Sequence, residues 1–309
     1  MSFARNLLIR SSQSQWLREH AARWSFVRRA SSRFLPGEGI EDALAAAEEL
    51  RKLGIRAMPS RLGENVTEPG EASGVADHYV DALALMRAHG LPGSLSVKPT
   101  QLGLDLGPEL CYRNLARILA AAADGAGIIW VDMESSAYVD RTLDLYRRAR
   151  AVHAHVGVCL QAYLRRTPED LQSLLPLCPA IRLVKGAYRE PPDIAFPAKR
   201  DVDEAYISLT QTLIEKSAPE AGAFAGIATH DPAMIARAIG FVNAAGLPKK
   251  RFEFQMLYGI QRKEQERLAR EGWGVNVLVS YGTYWFPWYM RRLAERPANV
   301  WFVAKNLFS

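Results

Sequence analysis

Charged side chains end several of the short apolar runs in this sequence. Lys98, Asp132, Arg182 and Lys185 each lie at or near the end of such a run. A charge placed in an apolar strand is costly unless it is paired or bound to a ligand, so these four residues are candidates for a site. Cations predominate among them, which predicts an anionic ligand, either a polyanionic cofactor or a carboxylate substrate. The alternative is an internal network of salt bridges that stabilises the fold.

The segment RLVKGAY, residues 182–188, indicates phosphate binding. Lys185 is followed by Gly186 and Ala187, so the backbone can approach a phosphate closely while the ammonium group neutralises its charge. His230 ends another apolar run just before a helical segment. A lone histidine in such a place is more often structural than functional, so both interpretations stay open for His230.

Residues 281–302 combine tyrosine and tryptophan with an adjacent pair of arginines, Arg291 and Arg292. Adjacent side chains point about 100° apart on a helix, so both guanidinium groups can bind one small anion only if the helix lies across the site. The pair would then hold a carboxylate. One alternative is an exposed basic turn beside an aromatic core helix. A surface for single-stranded nucleic acid would need a repeated basic and aromatic spacing that the rest of the chain lacks, so no nucleic-acid partner is expected.

The elements that must position these residues follow from the hydrophobic pattern. Eight apolar, β-branched runs occur after residue 54, at 55–58, 95–98, 128–133, 156–161, 181–186, 224–230, 252–257 and 275–280. Seven segments with helical period lie between them, at 71–89, 108–123, 136–150, 168–176, 201–217, 232–245 and 261–270. This alternation is typical of repeated βα units and predicts a (βα)8 barrel of the α/β class. An open doubly wound sheet is the alternative, but no G-x-G-x-x-G sequence follows an early strand.

The connections complete this architecture. Three helical segments begin with residues that favour helix caps, namely Ser135, Thr167 and Asp231. Residues 37–53 form a further helical segment before the first strand. We therefore divide the chain into an N-terminal helical extension, residues 1–53, and the barrel, residues 54–309. The proline-rich loop 187–200 follows the fifth strand, where a long loop is expected to cover the active site of a barrel.

The composition excludes several classes of protein. The chain has 309 residues, of which 49% are hydrophobic and 23% charged, which excludes a disordered or collagen-like protein. Its three cysteines are Cys111, Cys159 and Cys178, and they form no CxxC pair, so we expect neither a disulfide framework nor a zinc ribbon. No histidine spacing predicts a metal site with three ligands, and no apolar run is long enough to span a membrane.

The N-terminal 35 residues are basic, since they contain seven arginines and a single acidic residue, Glu19. This composition resembles a transit peptide. A basic amphipathic helix that belongs to the fold is the favoured interpretation, because large hydrophobic residues continue through it at helical spacing. The net charge of +6 makes an acidic surface, membrane or ligand a plausible neighbour.

Seven ordered segments resemble the proline dehydrogenase family, in its compact, monofunctional bacterial form. The segments are SVKPTQLGLDL (96–106), VDMESS (131–136), CLQAYLRRT (159–167), IRLVKGAYREP (181–191), ATHDP (228–232), FEFQMLYG (252–259) and RRLAERPANV (291–300). The resemblance implies a distorted (βα)8 TIM-type barrel that binds FAD without a Rossmann domain. It also implies N-terminal helices before the barrel and a final helix over the barrel mouth.

The resemblance implies roles in substrate binding. Arg291 and Arg292 would bind the substrate carboxylate, and Lys98 would lie close to the same group. Asp132 would support Lys98 and help to order the site. Glu64 would close over the site by pairing with the first arginine of the pair.

The same resemblance implies a set of residues around the flavin. Arg182 would lie near flavin N5 and, with Asp132, take part in catalysis. The other cofactor-binding residues would be Met133 and Gln161 near the isoalloxazine, Lys185, Gly186 and Ala187 along the cofactor, Thr229 and His230 on its pyrophosphate and ribose side, Gln255 and Leu257 in a further block, and Glu295 after the arginine pair.

The implied activity is FAD-dependent oxidation of L-proline to Δ1-pyrroline-5-carboxylate by hydride transfer to flavin N5, the first step of proline catabolism, with electrons passing to a quinone. The expected location is the cytoplasm, with peripheral contact between the basic N-terminus and the inner face of an anionic membrane. Two competing hypotheses are an NAD-linked or folate-linked barrel reductase and a basic barrel that binds a partner without catalysis.

Two positions depart from the family pattern. Leu278 stands in the last strand where the family usually carries a tyrosine that packs against the substrate. Trp288 replaces another tyrosine three residues before Arg291. The loss of a hydroxyl and the added volume at Leu278 make a substituted ring, such as 4-hydroxyproline, an alternative substrate.

Overall fold

The computed structural model of the protein describes residues 33–217 and 223–285. Its β-strands are β1 (Arg56–Arg61), β2 (Leu95–Val97), β3 (Ile129–Val131), β4 (Val156–Gln161), β5 (Ala180–Val184), β6 (Phe224–Ala228), β7 (Phe252–Leu257) and β8 (Val275–Tyr281). Its α-helices are α1 (Ile40–Lys52), α2 (Pro69–Ala88), α3 (Pro108–Ala122), α4 (Val139–Arg150), α5 (Thr167–Leu174), α6 (Lys199–Glu215), α7 (Pro232–Ala244) and α8 (Arg262–Arg270). Short 3₁₀ turns occupy Ser136–Tyr138, Leu175–Leu177 and Lys249–Arg251.

The eight strands form one parallel sheet in the order β1-β8-β7-β6-β5-β4-β3-β2. Strands β1 and β2 share no ladder in this sheet, and the gap between them is bridged by side chains. The hydroxyl of Ser60 donates a hydrogen bond to the backbone oxygen of Ser96 at 2.9 Å across it. The fold is therefore a distorted (βα)8 barrel, which confirms the prediction from the sequence.

The helices pack against the outside of the barrel through regularly spaced apolar residues. In α3, for example, Cys111, Leu115, Ile118 and Leu119 are all buried, at a spacing that puts them on one helix face. Helix α1 buries its apolar face against β1 and β8 and shares the main core of the barrel. The division between residues 1–53 and 54–309 stays a prediction.

The observed helix starts agree only in part with the cap residues predicted from the sequence. Asp231 caps α7, because its side chain accepts a hydrogen bond from the backbone N–H of Ala233 at 3.0 Å. Ser135 precedes the 3₁₀ turn but makes no side-chain cap hydrogen bond there. The prediction for Thr167 is wrong, since Thr167 is the first helical residue of α5 and its hydroxyl donates to the backbone oxygen of Gln161 at 2.6 Å.

The barrel interior contains a small apolar cluster below the polar strand ends. Met58, Trp130 and Ala180 are buried there, and Leu278 packs against them. A Cβ atom at Gly157 would lie 2.6 Å from Cε3 of the Trp130 ring. Such a contact is too short for real Cβ atoms, so the large indole fits only because β4 carries a glycine beside it.

In the described part of the chain, no helix is both long and apolar enough to cross a membrane. The predicted final helix over the barrel mouth and nearly all of the basic N-terminal segment lie outside the described residues.

Candidate active site

Asp132, just after β3, joins two cations at the carboxyl-terminal end of the barrel. Its Oδ2 accepts a hydrogen bond from Nζ of Lys98 at 3.1 Å, and its Oδ1 accepts from Nη1 of Arg182 at 2.7 Å. The hydroxyl of Ser96 donates to Oδ1 at 2.6 Å. The charges at the strand ends had two interpretations, a ligand site or an internal salt-bridge network. Three of them, Lys98, Asp132 and Arg182, do form such a network.

The protonation of this cluster follows from its charges. Burial alone would raise the pKa of Asp132, but the charges of Lys98 and Arg182 and the hydrogen bond from Ser96 outweigh it and hold that pKa below its usual value. Burial alone would lower the pKa of Lys98, but the carboxylate of Asp132 outweighs it and raises that pKa. Asp132 is therefore an anion and Lys98 a cation near neutral pH.

Arg182, in the middle of β5, is held from several directions inside the barrel. Its Nε donates to Oε1 of Gln255 at 2.5 Å, and its Nη1 donates to Ser96 Oγ at 2.8 Å as well as to Asp132. Its Nη2 donates to the sulfur of Met58 at 2.6 Å, and the guanidinium lies 4.9 Å from the centre of the Trp130 ring. Four of its five N–H bonds thus have partners. The second Nη2 hydrogen has none among the described residues.

Lys185 lies at the end of β5, where two carboxylates bind its ammonium group. Asp203 accepts a hydrogen bond from Nζ at 2.5 Å, and Asp231 accepts one at 3.3 Å. The next residue, Gly186, has a φ of +116°. A Cβ atom at this position would overlap the ring of Tyr163. Glycine is therefore required here both by the backbone conformation and by the close packing of Tyr163.

The loop of residues 187–198, which we name the cover loop, is fastened to two neighbouring strand ends. On one side, Arg165 N donates to the oxygen of Ile194 at 3.0 Å, and Phe196 N donates to the oxygen of Tyr163 at 2.8 Å. On the other side, the carboxylate of Glu190 accepts from the backbone N–H and the hydroxyl of one residue, Ser136, at 2.7 and 2.6 Å. The cover loop is thus an ordered part of the barrel rim.

Glu134 and Tyr188 lie next to this charged cluster; Glu134 is one of the polar residues that end apolar runs in the sequence, but no role was predicted for either residue. Glu134 is buried and accepts hydrogen bonds from N and Oγ1 of Thr100 at 3.0 and 2.7 Å. Burial raises its pKa, although the Thr100 bonds oppose this. Burial also raises the pKa of Tyr188, a change that nearby Lys98 opposes. The segment VDMESS contains Glu134 two residues after Asp132, which is the one signal that could have identified it.

The predicted flavin-side residues occupy neighbouring strand ends. Gln161 ends β4, and its Nε2 donates to the backbone oxygen of Glu134 at 2.7 Å. Thr229 Oγ1 accepts from the backbone N–H of Asp231 at 3.1 Å. His230 Nε2 accepts from the backbone N–H of Leu257 at 2.8 Å. Met133 is buried directly after Asp132, and Ala187 is exposed.

Leu278 faces the barrel interior from β8. It is paired in register with Met58 of β1 and Leu257 of β7, and it packs against the cluster that contains Trp130. These neighbours make the wall around Leu278 apolar.

Four predicted site residues lie outside the described part of the chain, namely Trp288, Arg291, Arg292 and Glu295. Glu64 is exposed shortly after β1, on the mouth side of the barrel. Its predicted pairing with Arg291 stays a prediction. Within residues 33–217 and 223–285, no group of three or more potential ligands could hold a metal ion.

The residues at the mouth fit a flavin nucleotide in their chemistry. Lys185 offers a partly exposed ammonium group at a strand end, beside the positive-φ Gly186, and this combination suits a phosphate. Arg182 keeps one N–H without a described partner although the residue is buried, so this donor can serve a polar ring atom. Lys98 and Asp132 lie apart from Lys185 on other strands, which leaves them for a smaller ligand.

Comparison with known proteins gives concordant results. A family model described as proline dehydrogenase matches residues 43–305. The chain is 38% identical to proline dehydrogenase 1 of Bacillus subtilis (strain 168) over 303 residues, covering 98% of each chain. It is 39% identical to a proline dehydrogenase of Deinococcus radiodurans over 282 residues, covering 90% of this chain and 89% of the relative.

Solved structures show the same fold. Proline utilization A from Bdellovibrio bacteriovorus superimposes with a TM-score of 0.81 at 21% identity. The match covers 94% of this chain and 36% of that longer chain, so this protein spans about a third of its length.

Proposed function

The chain belongs to the proline dehydrogenase family, and from that premise we propose that it binds FAD and oxidises L-proline to Δ1-pyrroline-5-carboxylate. The observation that best supports this activity is the cluster of Lys98, Asp132 and Arg182 towards the mouth of a barrel whose fifth strand is followed by a lysine and glycine suited to a phosphate. The cluster offers separate cations for a carboxylate and for a cofactor.

The substrate carboxylate is assigned to Lys98, Arg291 and Arg292. Asp132 holds Lys98 in place and keeps its amine protonated, so that it can bind an anion. Binding the carboxylate away from the reacting carbon uses remote binding energy to orient one C–H bond. Glu64 would pair with the first arginine once the substrate is bound.

When bound, FAD supplies the two-electron acceptor that takes a hydride from the ring carbon next to nitrogen. The ring nitrogen must lose a proton as the C=N bond of the imine forms. The residues proposed to hold the cofactor are Lys185, Gly186, Ala187, Met133, Gln161, Thr229, His230, Gln255, Leu257 and Glu295. The fixed positive charge of Arg182 would stabilise negative charge that develops on a neighbouring group.

Electrons are proposed to pass from the reduced cofactor to a quinone. The carbonyl of Arg33 lies against Gly259, which follows β7 at the mouth end of the barrel. The basic segment before Arg33 thus joins the described chain on the mouth side. This arrangement supports peripheral contact between that side and an anionic membrane, at the cytoplasmic face.

The decisive experiment is anaerobic reduction of the purified, flavin-loaded protein. L-proline should bleach the flavin absorbance, whereas a nicotinamide should not. A colourless protein that takes up no flavin on reconstitution would refute the proposal. Reduction by a nicotinamide and not by proline would instead support a barrel reductase. An affinity for an anionic partner that falls steeply with salt and is changed by Arg291→Ala, while flavin reduction is not changed by this substitution, would support a binding barrel.

The replacement of a tyrosine by Leu278 makes a second substrate of the same class a candidate. A ring that carries an extra substituent, such as 4-hydroxyproline, would use the volume that a tyrosine would fill. The same bleaching experiment with 4-hydroxyproline and with N-methylproline tests this alternative directly.

A further inference from the structure

Glu253, near the start of β7, is a buried carboxylate inside the barrel that the reaction above does not use. Glu253 is only 1% exposed to solvent. Its Oε1 accepts hydrogen bonds from Nε2 of Gln255 at 2.6 Å and from Nδ2 of Asn276 at 3.2 Å. Its Oε2 pairs with the guanidinium of Arg56. Such a buried anion needs an explanation, because removing a carboxylate from water is costly.

The amide of Gln255 connects this carboxylate to Arg182. Its Oε1 accepts from Nε of Arg182 at 2.5 Å, while its Nε2 donates to Glu253. An arginine offers only donors and an ionised carboxylate offers only acceptors. One orientation of the Gln255 amide therefore satisfies both neighbours, and the flipped orientation satisfies neither. Glu253 and Arg182 thus fix the orientation of the Gln255 amide from its two sides.

Arg56 balances the charge of Glu253 from the other end of the barrel. It is the first residue of β1, and its side chain is 45% exposed. A continuous chain of hydrogen bonds therefore runs from Lys98 at the mouth through Asp132, Arg182 and Gln255 to the Glu253–Arg56 pair.

We propose that Glu253 is a positioning residue for Arg182, acting through the amide of Gln255. The catalytic part of this inference rests on the proposed function, whereas the positioning of Arg182 does not. A merely structural Glu253 would affect stability alone. A positioning Glu253 also affects the hydrogen bond at Arg182 Nε.

Two variants separate these roles. Glu253→Met removes both carboxylate oxygens, so the Gln255 amide loses the acceptor that holds its Nε2 and its hydrogen bond to Arg182 Nε is loosened. Glu253→Gln keeps one carbonyl oxygen for Gln255 and Asn276. Both variants lose the ion pair with Arg56, so this shared loss cannot explain a difference between them. Glu109→Met is the matched control, because it breaks a pair with Arg148 on the protein surface.

The first measurement is made on the flavin-free protein. The side-chain Nε–H signal of Arg182 in ¹⁵N NMR, identified by its loss in Arg182→Lys, reports the hydrogen bond to Gln255. Its exchange with solvent should quicken at least tenfold in Glu253→Met and stay within about threefold of the wild type in Glu253→Gln and Glu109→Met. A second measurement uses the loaded protein, whose flavin reduction by proline should slow at least tenfold in Glu253→Met alone, with a shifted flavin midpoint potential.

An unchanged Arg182 signal in a folded Glu253→Met variant overturns the proposal, and so does an equal loss of the signal in Glu253→Gln. If Glu253→Met does not fold, Gly226→Ala tests the step through the amide, since its Cβ would lie 2.6 Å from Nε2 of Gln255 and disturb the bond from Gln255 to Glu253. Gly226→Ala should then quicken Arg182 exchange, and an unchanged signal overturns the proposal. Failure of proline to reduce the wild-type flavin refutes the proposed function but leaves the NMR test valid.

Discussion

Replacing Asp132 by asparagine should destabilise the protein strongly, because it removes the anion between two cations. Lys98 and Arg182 lie 3.1 and 2.7 Å from its two oxygens. Breaking a fully buried ion pair on one side costs about 3–5 kcal/mol. The side chains of Lys98 and Asp132 are 20% and 17% exposed, and the amide keeps one acceptor, so the loss should be smaller than for a fully buried pair. We expect a loss of about 2–3 kcal/mol in the free energy of unfolding at pH 7.

The pH dependence of this loss gives the argument a second test. The pKa of Asp132 is lowered in the folded protein, so its stabilising effect is complete above the unfolded-state pKa, about 3.9. The effect disappears as the pH falls through the lower folded-state value. The stability difference between wild type and Asp132→Asn should therefore be constant from about pH 6 to 8 and shrink below about pH 4.

The assay is urea unfolding followed by tryptophan fluorescence and far-UV circular dichroism at several pH values. Asp144→Asn is the matched control, because Asp144 pairs with Arg147 on an exposed face of α4, and it should change stability by less than about 0.5 kcal/mol. Equal stability of Asp132→Asn and the wild type between pH 5 and 8 would refute the reasoning. A difference that grows towards acid pH would refute it as well.

Three further predictions concern other parts of the barrel. Gly157→Ala should destabilise the protein by about 1–3 kcal/mol in urea unfolding, since its Cβ would lie 2.6 Å from the buried Trp130 ring. The control Gly74→Ala has open space around its Cβ, so it should be neutral or slightly stabilising. Equal effects of the two substitutions would contradict this explanation. Glu190→Ala removes both bonds to Ser136, so hydrogen exchange in residues 187–198 should speed up while exchange in α3 does not change. Leu278→Tyr should favour proline over 4-hydroxyproline in anaerobic flavin reduction, and an unchanged ratio of the two rates would show that residue 278 does not select the ring.

The strands and helices of the barrel were predictable because each depends on a local pattern. Alternation of β-branched runs with helical segments located all eight strands, and Pro232 with its neighbour Asp231 located the start of α7. Thr167 shows where capping rules fail, since a hydrogen bond back to Gln161 at the end of β4 uses the hydroxyl that was expected to cap α5.

The charged residues of the site were predictable from the sequence, but their hydrogen-bond partners were not. Lys98, Asp132 and Arg182 stand out as charges at the ends of apolar strands. Their partners depend on the stagger between strands far apart in the sequence, as with the bond from Arg182 to Met58 across 124 positions. Glu253 illustrates the same limit, because a glutamate at the start of a strand is ordinary until Arg56 of β1 is seen beside it.

The hydrogen bonds that hold the cover loop on both sides affect where substrate enters the barrel and where product leaves it. Lifting this loop would break its backbone bonds to residues 163 and 165 and both bonds between Glu190 and Ser136 at the same time. Each of these bonds contributes about 1 kcal/mol, so such an opening would be rare. Entry and exit are therefore expected at the opposite rim, beyond β8 and β1. The rate at which product leaves should then be insensitive to the bonds that fasten the cover loop.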